Sequence, residues 1–475
     1  MGSKTGIWTP TVALDLSRDN RVGDGGFFPT QSLIVGQKVT AGTAENGSIH
    51  KVSSLSEVEQ LCGKGSQLYD LMKSYFSYTS TQPVYIGVLD DADTATKYSN
   101  SFTLTVTDPE AGVLGIRVND EKYTVAVTDA DTATTLGDRI VAALEDAAHY
   151  YEVTNALGVV KFECRNGGLA VGGVDVRFSP DSEDTPPTGV TVADGVVVAG
   201  TIDPDVDDVL MNVGDTYFIN MWGPYADTAS LQKFIDKLNT LGDKYNAADS
   251  IYHTIVRGTA STIRAKAQAL RSIRFALHCI EGMKQSVNNY LGTSAREVTT
   301  SIAKDVNKPL HNLRLRGVRV WSDGLEWSER NSLAGDGVAT INPETGELEA
   351  PVTCYVATDD ERRWENIFAL SYMRRSFRDH ITGMYGQAVI ITRPGATISP
   401  SKKVITLATA RVSAISWYAD QVRAAHAQDE QRFADELLVS LADSDTIEWF
   451  LPVTLVVPFV VGDGLISYRQ ISEEE

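Results

Sequence analysis

Gly63-Lys64-Gly65-Ser66 stands between two apolar runs in "LCGKGSQLYDLM" (Leu61 to Met72) and poses the first chemical question. In a phosphate-binding loop, backbone N–H groups cradle the phosphates and the Lys reaches them. The hydroxyl that directly follows the Lys binds magnesium. Here Gly65 follows Lys64, so the hydroxyl of Ser66 comes one residue late. Upstream of Gly63 stands Glu59, whose carboxylate would repel phosphate, and no glycine opens the loop. The preceding "SSLSEVEQL" has helical spacing at Leu55, Val58 and Leu61, with Ser54 as cap and Glu57 three residues on. A phosphate loop follows a strand instead. The stretch therefore reads as a helix, a Gly turn and a second helix capped by Ser66, with Leu68, Leu71, Met72 and Phe76 on its buried face.

Other candidate chemistry fails on spacing. "DPDVDD" (Asp203 to Asp208) starts like a calcium loop, but Asp208 stands where Gly is needed and Gly214 where Glu is needed. The seven histidines (50, 149, 253, 278, 311, 380, 426) form no HxH or HExxH pair, so a zinc site has little support. His278 and Cys279 are adjacent, and on a helix they would point about 100° apart, which does not make a base–nucleophile pair. There is no GxSxG elbow and no GxGxxG opening a helix. No catalytic residue, cofactor or metal is expected.

Composition narrows the class. The chain has 475 residues, 43% of them hydrophobic, enough for several domains with cores. Its net charge of −20 argues against direct nucleic-acid binding, which needs clustered Lys and Arg. The four cysteines (62, 164, 279, 354) form no CxxC pair and read as reduced thiols of a cytoplasmic setting. Met1 to Asn20 lacks the apolar core of a signal peptide, and no run reaches the roughly eighteen apolar residues of a spanning helix, so no membrane insertion is expected. "WFLPVTLVVPFVV" (Trp449 to Val461) is broken by two prolines and reads as extended strand.

The elements fall into blocks. "WTPTVALDL" (Trp8 to Leu16) is a lone strand with no hairpin partner nearby, so it must pair with something distant or with another chain. From Leu33 strands and helices alternate in an α/β pattern, "SLIVGQKV" and "PVYIGVLD" being the first two strands. From about Ser99 the period becomes two, with "GVLGIRVND" and "EKYTVAVTD" as a hairpin. Residues 101–200 hold sixteen Asp and Glu against six Lys and Arg, half the net charge in a fifth of the chain. They read as a separate, solvent-facing insertion. The α/β pattern then resumes with "DTYFINMWGP", a helix capped near Asp227, and "SIYHTIVRG". "TASTIRAKAQALRSIRFALHCIEGMK" reads as one long helix, with Arg264, Lys266, Arg271 and Arg274 on its polar face. Two more amphipathic helices follow, in "ERRWENIFALSYMRRSFRDHITGMYG" and "KKVITLATARVSAISWYADQV". The acidic partner that such Arg-rich faces would meet is another copy of the chain, or its own surface.

Taken in order, these segments resemble the sheath proteins of contractile phage tails. "LCGKGSQLYDLM" is similar to an "FGxGS" motif between two helices, and "DTYFINMWGPYADTASLQKF" to the strand, Asp and helix after an inserted domain. "KDVNKPLHNLRLRGV" resembles "DPxRPLQTLxLxG", and "ERNSLAGDGVATINPETGELEAPVTCYVAT" resembles "ERNxLLxxGxxT…G…xITTY". "WENIFALSYMRRSFRDHI" with "PGATISPSKKVITLATARVSAISW" resembles the two C-terminal helices and their connecting loop. The inserted unit is most similar to the Mu-like branch. The resemblance spans Gly36 to Trp417; it departs at Lys308 and Cys354 and is hard to extend past Trp449.

The resemblance implies an α/β (α+β) multidomain protein: a sheet-and-helix sheath core with a β-rich inserted domain and strand-forming terminal arms. The implied limits are an N-terminal arm at 1–28, a discontinuous α/β domain at 29–100 and 201–345, and an outward-facing insertion at 101–200. A C-terminal domain facing the tube at 346–460 and an arm strand at 461–475 complete the chain. Subunits of this family link by adding terminal strands to a neighbour's sheet. That role falls to Thr11, Val12, Ala13 and Leu14, and to Leu465, Ile466, Ser467, Tyr468 and Arg469. Such head-to-tail contacts build rings or helical filaments. The implied partners are many copies of the chain in stacked hexameric rings, a tail tube protein, and baseplate and tail terminator proteins. The implied setting is a virion tail assembled in the host bacterial cytoplasm. Two alternatives stay open: a saccharide-binding adhesin built on the β-rich insertion, and a hydrolase of subtilisin-like fold.

Overall fold

The computed structural model describes residues 30–457, except 81, 182, 215, 244–245, 321–323, 356–361, 391–402 and 444. All nine residues proposed for inter-subunit strands lie outside the described residues.

Three strands open the α/β part: β1 (Ser32–Gln37), β2 (Ile49–Val52) and β3 (Val84–Leu89). Between β2 and β3 lie the helices Leu55–Cys62 and Gln67–Tyr75. Ser54 Oγ accepts from Glu57 N, and Ser66 Oγ accepts from Tyr69 N, so each polar cap satisfies a free N–H. The Glu57 carboxylate takes Ser53 N rather than the cap residue's own N–H, one residue upstream of a capping box.

The insertion contributes β4 (Lys97–Val106), β5 (Gly112–Val118), β6 (Glu121–Val127), the helix Ala133–Leu144, β7 (Tyr151–Ala156), β8 (Val159–Gly167), β9 (Val176–Phe178) and β10 (Val190–Val198). They form two antiparallel sheets, β10-β4-β8-β7 and β6-β5-β9. Their alternating apolar residues enclose a core of their own, from Phe102 to Val190.

Beyond it come β11 (Asn220–Trp222), β12 (Ile251–Val256), β13 (Phe275–Cys279), β14 (Leu313–Arg314), β15 (Val338–Ile341) and β16 (Glu347–Ala350). They join β1–β3 in a nine-stranded sheet of order β14-β16-β15-β13-β12-β11-β1-β3-β2. Its six inner strands, β3 to β15, are parallel, and antiparallel strands close both margins. Helices cover both faces, so the middle strands are buried throughout.

One expectation is overturned here. The long helix read from Thr259 to Lys284 ends at Ala269, and "FALHC" is a central buried strand. An apolar run buried on both sides shows no alternation, so its spacing does not separate strand from helix. His278 and Cys279 therefore point to opposite sheet faces, and His278 joins a buried aromatic cluster. Its Nδ1 lies 2.8 Å from Tyr290 Oη and its Nε2 3.1 Å from His253 Nδ1. Trp222 stacks on His253 at 3.9 Å, and Trp364, at the start of the helix Trp364–Tyr385, meets His253 edge-on at 4.6 Å. Burial holds both imidazoles neutral, His278 down to about 3. Through Trp364 the C-terminal helices share one continuous core with the sheet.

The helix Val287–Lys304 is buried along most of its length. At Gly292 a Cβ would sit 2.0 Å from Leu71 O, so only glycine allows this crossing with Gln67–Tyr75. One turn on, the fully buried Arg296 donates to Ser74 O and Glu297 Oε1, capping that neighbour's last carbonyls while its charge is neutralised.

The insertion meets the sheet at the carboxyl ends of β1 and β3. Asn166 Oδ1 accepts from Gln67 N, and its Nδ2 donates to Lys38 O and Asp91 Oδ1. Gln37 Nε2 donates to Asp91 Oδ1 and Gly167 O, and Gly167 N donates to Asp91 Oδ2. Gly65 (φ +75°) lies under this seam, where a Cβ would come within 2.7 Å of Ala147 O and His149 O. The Gly-Lys-Gly-Ser turn thus seats the insertion.

Asn166→Ala leaves Gln67 N and Lys38 O without their partner and is expected to cost about 2–4 kcal/mol, read as a lower melting temperature and faster proteolysis within 97–201. Asp70 is buried against Ser286 Oγ and Asn288 Nδ2, with Lys73 and Glu121 nearby, and burial pushes its carboxyl up to about 6. An acid raised in the fold favours the native state while protonated. That contribution, about 3 kcal/mol, is lost as pH rises from ~4 to ~6. Asp70→Asn is expected to raise stability at pH ~7.5 and leave it unchanged at pH ~4, measured by urea unfolding at both.

Candidate strand-accepting interface

Two strands of the main sheet's kind never reach it. Among the described residues, β17 (Val389–Ile390) and β18 (Val404–Ile405) pair only with each other. After them Thr406 caps the helix Leu407–Arg423 in a reciprocal pair with Thr409. Trp417 from this helix is buried, donates to Ser376 Oγ, and stands edge-on to Phe377 at 5.0 Å. Tyr418 stacks on Phe433 of the short helix Glu430–Glu436 at 3.8 Å, and its Oη donates to Gln428 O. The Arg411 guanidinium donates to Ala434 O and Leu437 O, closing that helix's carbonyl end and fixing where the next strand leaves.

That strand is β19 (Leu438–Asp443), and it turns back as β20 (Thr446–Phe450). Alternation gives the hairpin two unlike faces. Val439, Leu441, Ile447 and Trp449 share the inner face; Trp449 meets Phe377 edge-on at 5.8 Å. Leu438 and Phe450 are register partners on the outer face, 63% and 60% exposed. Neither strand has a second neighbour among the described residues, so both margins present unpaired backbone N–H and C=O groups. Natural edges are commonly blunted by Lys, Pro or a bulge; here only a bulge near the turn, with Asp443 and Glu448, intervenes. The expected strand past Trp449 ends at Phe450, because Pro452 offers no N–H to a ladder. The chain returns to the body instead, with Leu455 bridging Ala427 and Thr454 N donating to Tyr418 Oη.

The hairpin's free margins carry the backbone groups with which an added strand would pair. In a doubly wound sheet a ligand binds where the strand order reverses, which here is between β1 and β11. The insertion's seam lies on the other side of β1, at the carboxyl ends of β1 and β3. Two Ser–His contacts occur, Ser413 with His380 at 2.8 Å and Ser48 with His50 at 2.9 Å. Ser413 is buried between helices, and neither imidazole bonds a carboxylate among the described residues. No cluster of metal-ligating side chains is present among the described residues. No helix among them is long and apolar enough to cross a membrane.

The β19–β20 hairpin was not among the elements expected from the sequence. Its signal was present: "VSLADSDTIEWF" alternates apolar and polar residues about an Asp-Ser-Asp turn.

No protein-family model matches the chain. It is similar to the Mu-like prophage FluMu tail sheath protein of Haemophilus influenzae, 25% identical over 420 residues that cover 86% of each chain. A chain in the cryo-EM structure of the anti-feeding prophage baseplate has the same fold, with a TM-score of 0.50, 10% identity, and coverage of 96% of this chain and 99% of that one. The sheath tail protein of Desulfitobacterium hafniense aligns over 92% of this chain and 100% of its own, at a TM-score of 0.46 and 11% identity.

The outward pair can be separated from the fold. Leu438→Lys with Phe450→Lys is expected to change unfolding free energy by less than about 0.5 kcal/mol, since both side chains are already in solvent. Trp449→Ala, which empties the inner face, is expected to cost about 2–4 kcal/mol in the same urea titration.

Proposed function

We infer that this chain is a structural subunit of a contractile tail sheath of the Mu-like kind, polymerising helically around a tail tube and contracting to drive the tube through the host envelope. The observation that carries this reading is the unfinished β19–β20 sheet, in a chain 25% identical to a tail sheath protein over 86% of its length. A two-stranded hairpin is marginal in water and gains from added strands. The sequence has two strand-like arms to supply them, at 11–14 and 465–469. On this reading the arms of neighbouring copies pair with the free margins of β19 and β20. Main-chain hydrogen bonds give the affinity, and Leu438 and Phe450 give an apolar surface for alternate side chains. Linkage from each copy to the next does not close as a twofold pair, so it extends into rings and a helical lattice.

Contraction is then a change between two packings of one fold, driven by the difference in their interface free energies. No nucleotide or catalytic group takes part. The tube, baseplate and terminator proteins are the proposed partners, with assembly in the host cytoplasm and a final place in the particle's tail. The insertion faces outward on this reading. The adhesin and hydrolase alternatives gain no support from the relatives.

Negative-stain microscopy of the purified full chain across a concentration series tests the proposal. Tubes or rings are expected from the full chain and not from a chain ending at Gly462. Identical assemblies from both would remove the C-terminal strand from the linkage.

A further inference from the structure

One stretch opposes the charge of the whole. From Lys304 to Arg319 there are five Lys and Arg and one Asp, in a chain of net charge −20. The stretch includes β14, the outermost strand of the nine-stranded sheet, which pairs only with β16 among the described residues. Arg316 is occupied by Glu297, and Arg319 lies 3.7 Å from Asp120. Lys304, Lys308 and Arg314 are exposed and make no ion pair among the described residues. Elsewhere Arg side chains pair within the chain, as Arg264 does with Asp336 and Arg274 and Arg374 do with Asp249.

The insertion shows the matching feature. Its near end already meets this strip within one copy, where Gln285 Nε2 donates to Asp120 beside Arg319. Its far end carries Asp108, Glu110 and Asp129, all exposed and without an ion pair among the described residues. They stand at the end of β4, before β5 and after β6, the end at which Gly112 pairs Val127. The ten residues of β4 place that end ~30 Å from the Thr96–Thr201 bridge where the insertion leaves the sheet. These acids therefore cannot reach the strip of their own copy.

We propose that the basic margin at β14, through Lys304, Lys308 and Arg314, docks the acidic far end of the insertion of a second copy. Copies of charge −20 repel one another, and contact between them needs a surface of opposite sign. The strip supplies it, and the register comes from the charges rather than from an apolar patch. This contact rests on the sheath reading for its setting, and it is separate from the arm linkage.

The test is a reciprocal charge swap in the full-length chain, followed by sedimentation velocity and microscopy at ~50 mM and ~500 mM NaCl. The margin variant is K304E/K308E/R314E; the far-end variant is D108N/E110K/D129K. All six positions are exposed, and unchanged melting temperatures establish that both variants fold. Wild-type association is expected to be strong at low salt and to weaken about tenfold or more at high salt. Each variant alone is expected to stay dissociated, and an equimolar mixture of the two to associate again, because each then meets an opposite charge. Association of either variant alone at the wild-type level overturns the contact. So does a mixture that stays dissociated, or a wild type that is monomeric at low salt. Tubes from the margin variant would overturn this contact and leave the sheath reading standing. Salt-sensitive association that the mixture restores, without tubes or rings, would do the reverse.

Discussion

The position of the insertion depends on how the carboxyl ends of β1 and β3 are closed. In an open α/β sheet the carboxyl ends of the strands carry peptide groups that the sheet itself leaves unpaired. Here Asp91, Gln37 and Asn166 fill the place with a connected set of hydrogen bonds to the backbone at Lys38, Gln67 and Gly167. Several bonds that share Asp91 and Asn166 fix direction as well as attachment. The insertion consequently leaves the sheet at a set angle, with its acidic end held well away from the body.

Charge is divided along the same lines. Inside the body, cations are used to close helix ends and tie elements together. Arg296 caps Gln67–Tyr75, Arg411 closes Glu430–Glu436, and Arg374 joins the C-terminal helix to the loop at Asp249. With 62 carboxylates against 42 cations, the acids outnumber the cations available to pair with them. The chain therefore repels its copies in general, and whatever contact it makes has to be local. The exposed cations of the β14 margin stand out against that background.

Much of this was legible from residue order. Cap residues Ser54, Ser66 and Asp227 marked helix starts because a short polar side chain before an apolar period has one common use. The hairpin of the insertion was legible because strands buried on one face alternate. The misreading of Phe275–Cys279 has the opposite cause: burial on both faces removes alternation, and the amphipathic helix before it extended the wrong period. The seam was not legible at all. Gln37, Asp91 and Asn166 are far apart in sequence, and polar residues in loops look alike until the fold brings them together. The hairpin β19–β20 was readable in principle from its alternation, but the apolar run that continues past Trp449 has the composition of a longer strand, which Pro452 interrupts.

On the sheath reading, the two kinds of surface have different physics and so suit different tasks. A strand added to β19 or β20 is held by main-chain hydrogen bonds whose register resists sliding, since a one-residue slip exposes every apolar side chain to the wrong face. Contacts between charged surfaces are weaker, screened by salt, and can be exchanged without unfolding anything. A lattice that must shorten without falling apart needs both. The linkages that keep the mesh together belong on the hairpin, where the inner face of Val439 and Trp449 holds them to the body. The contacts that change belong on surfaces such as the β14 margin. The rigid seam matters here because an insertion free to swing would absorb the motion, whereas a fixed one transmits it to the neighbouring copy.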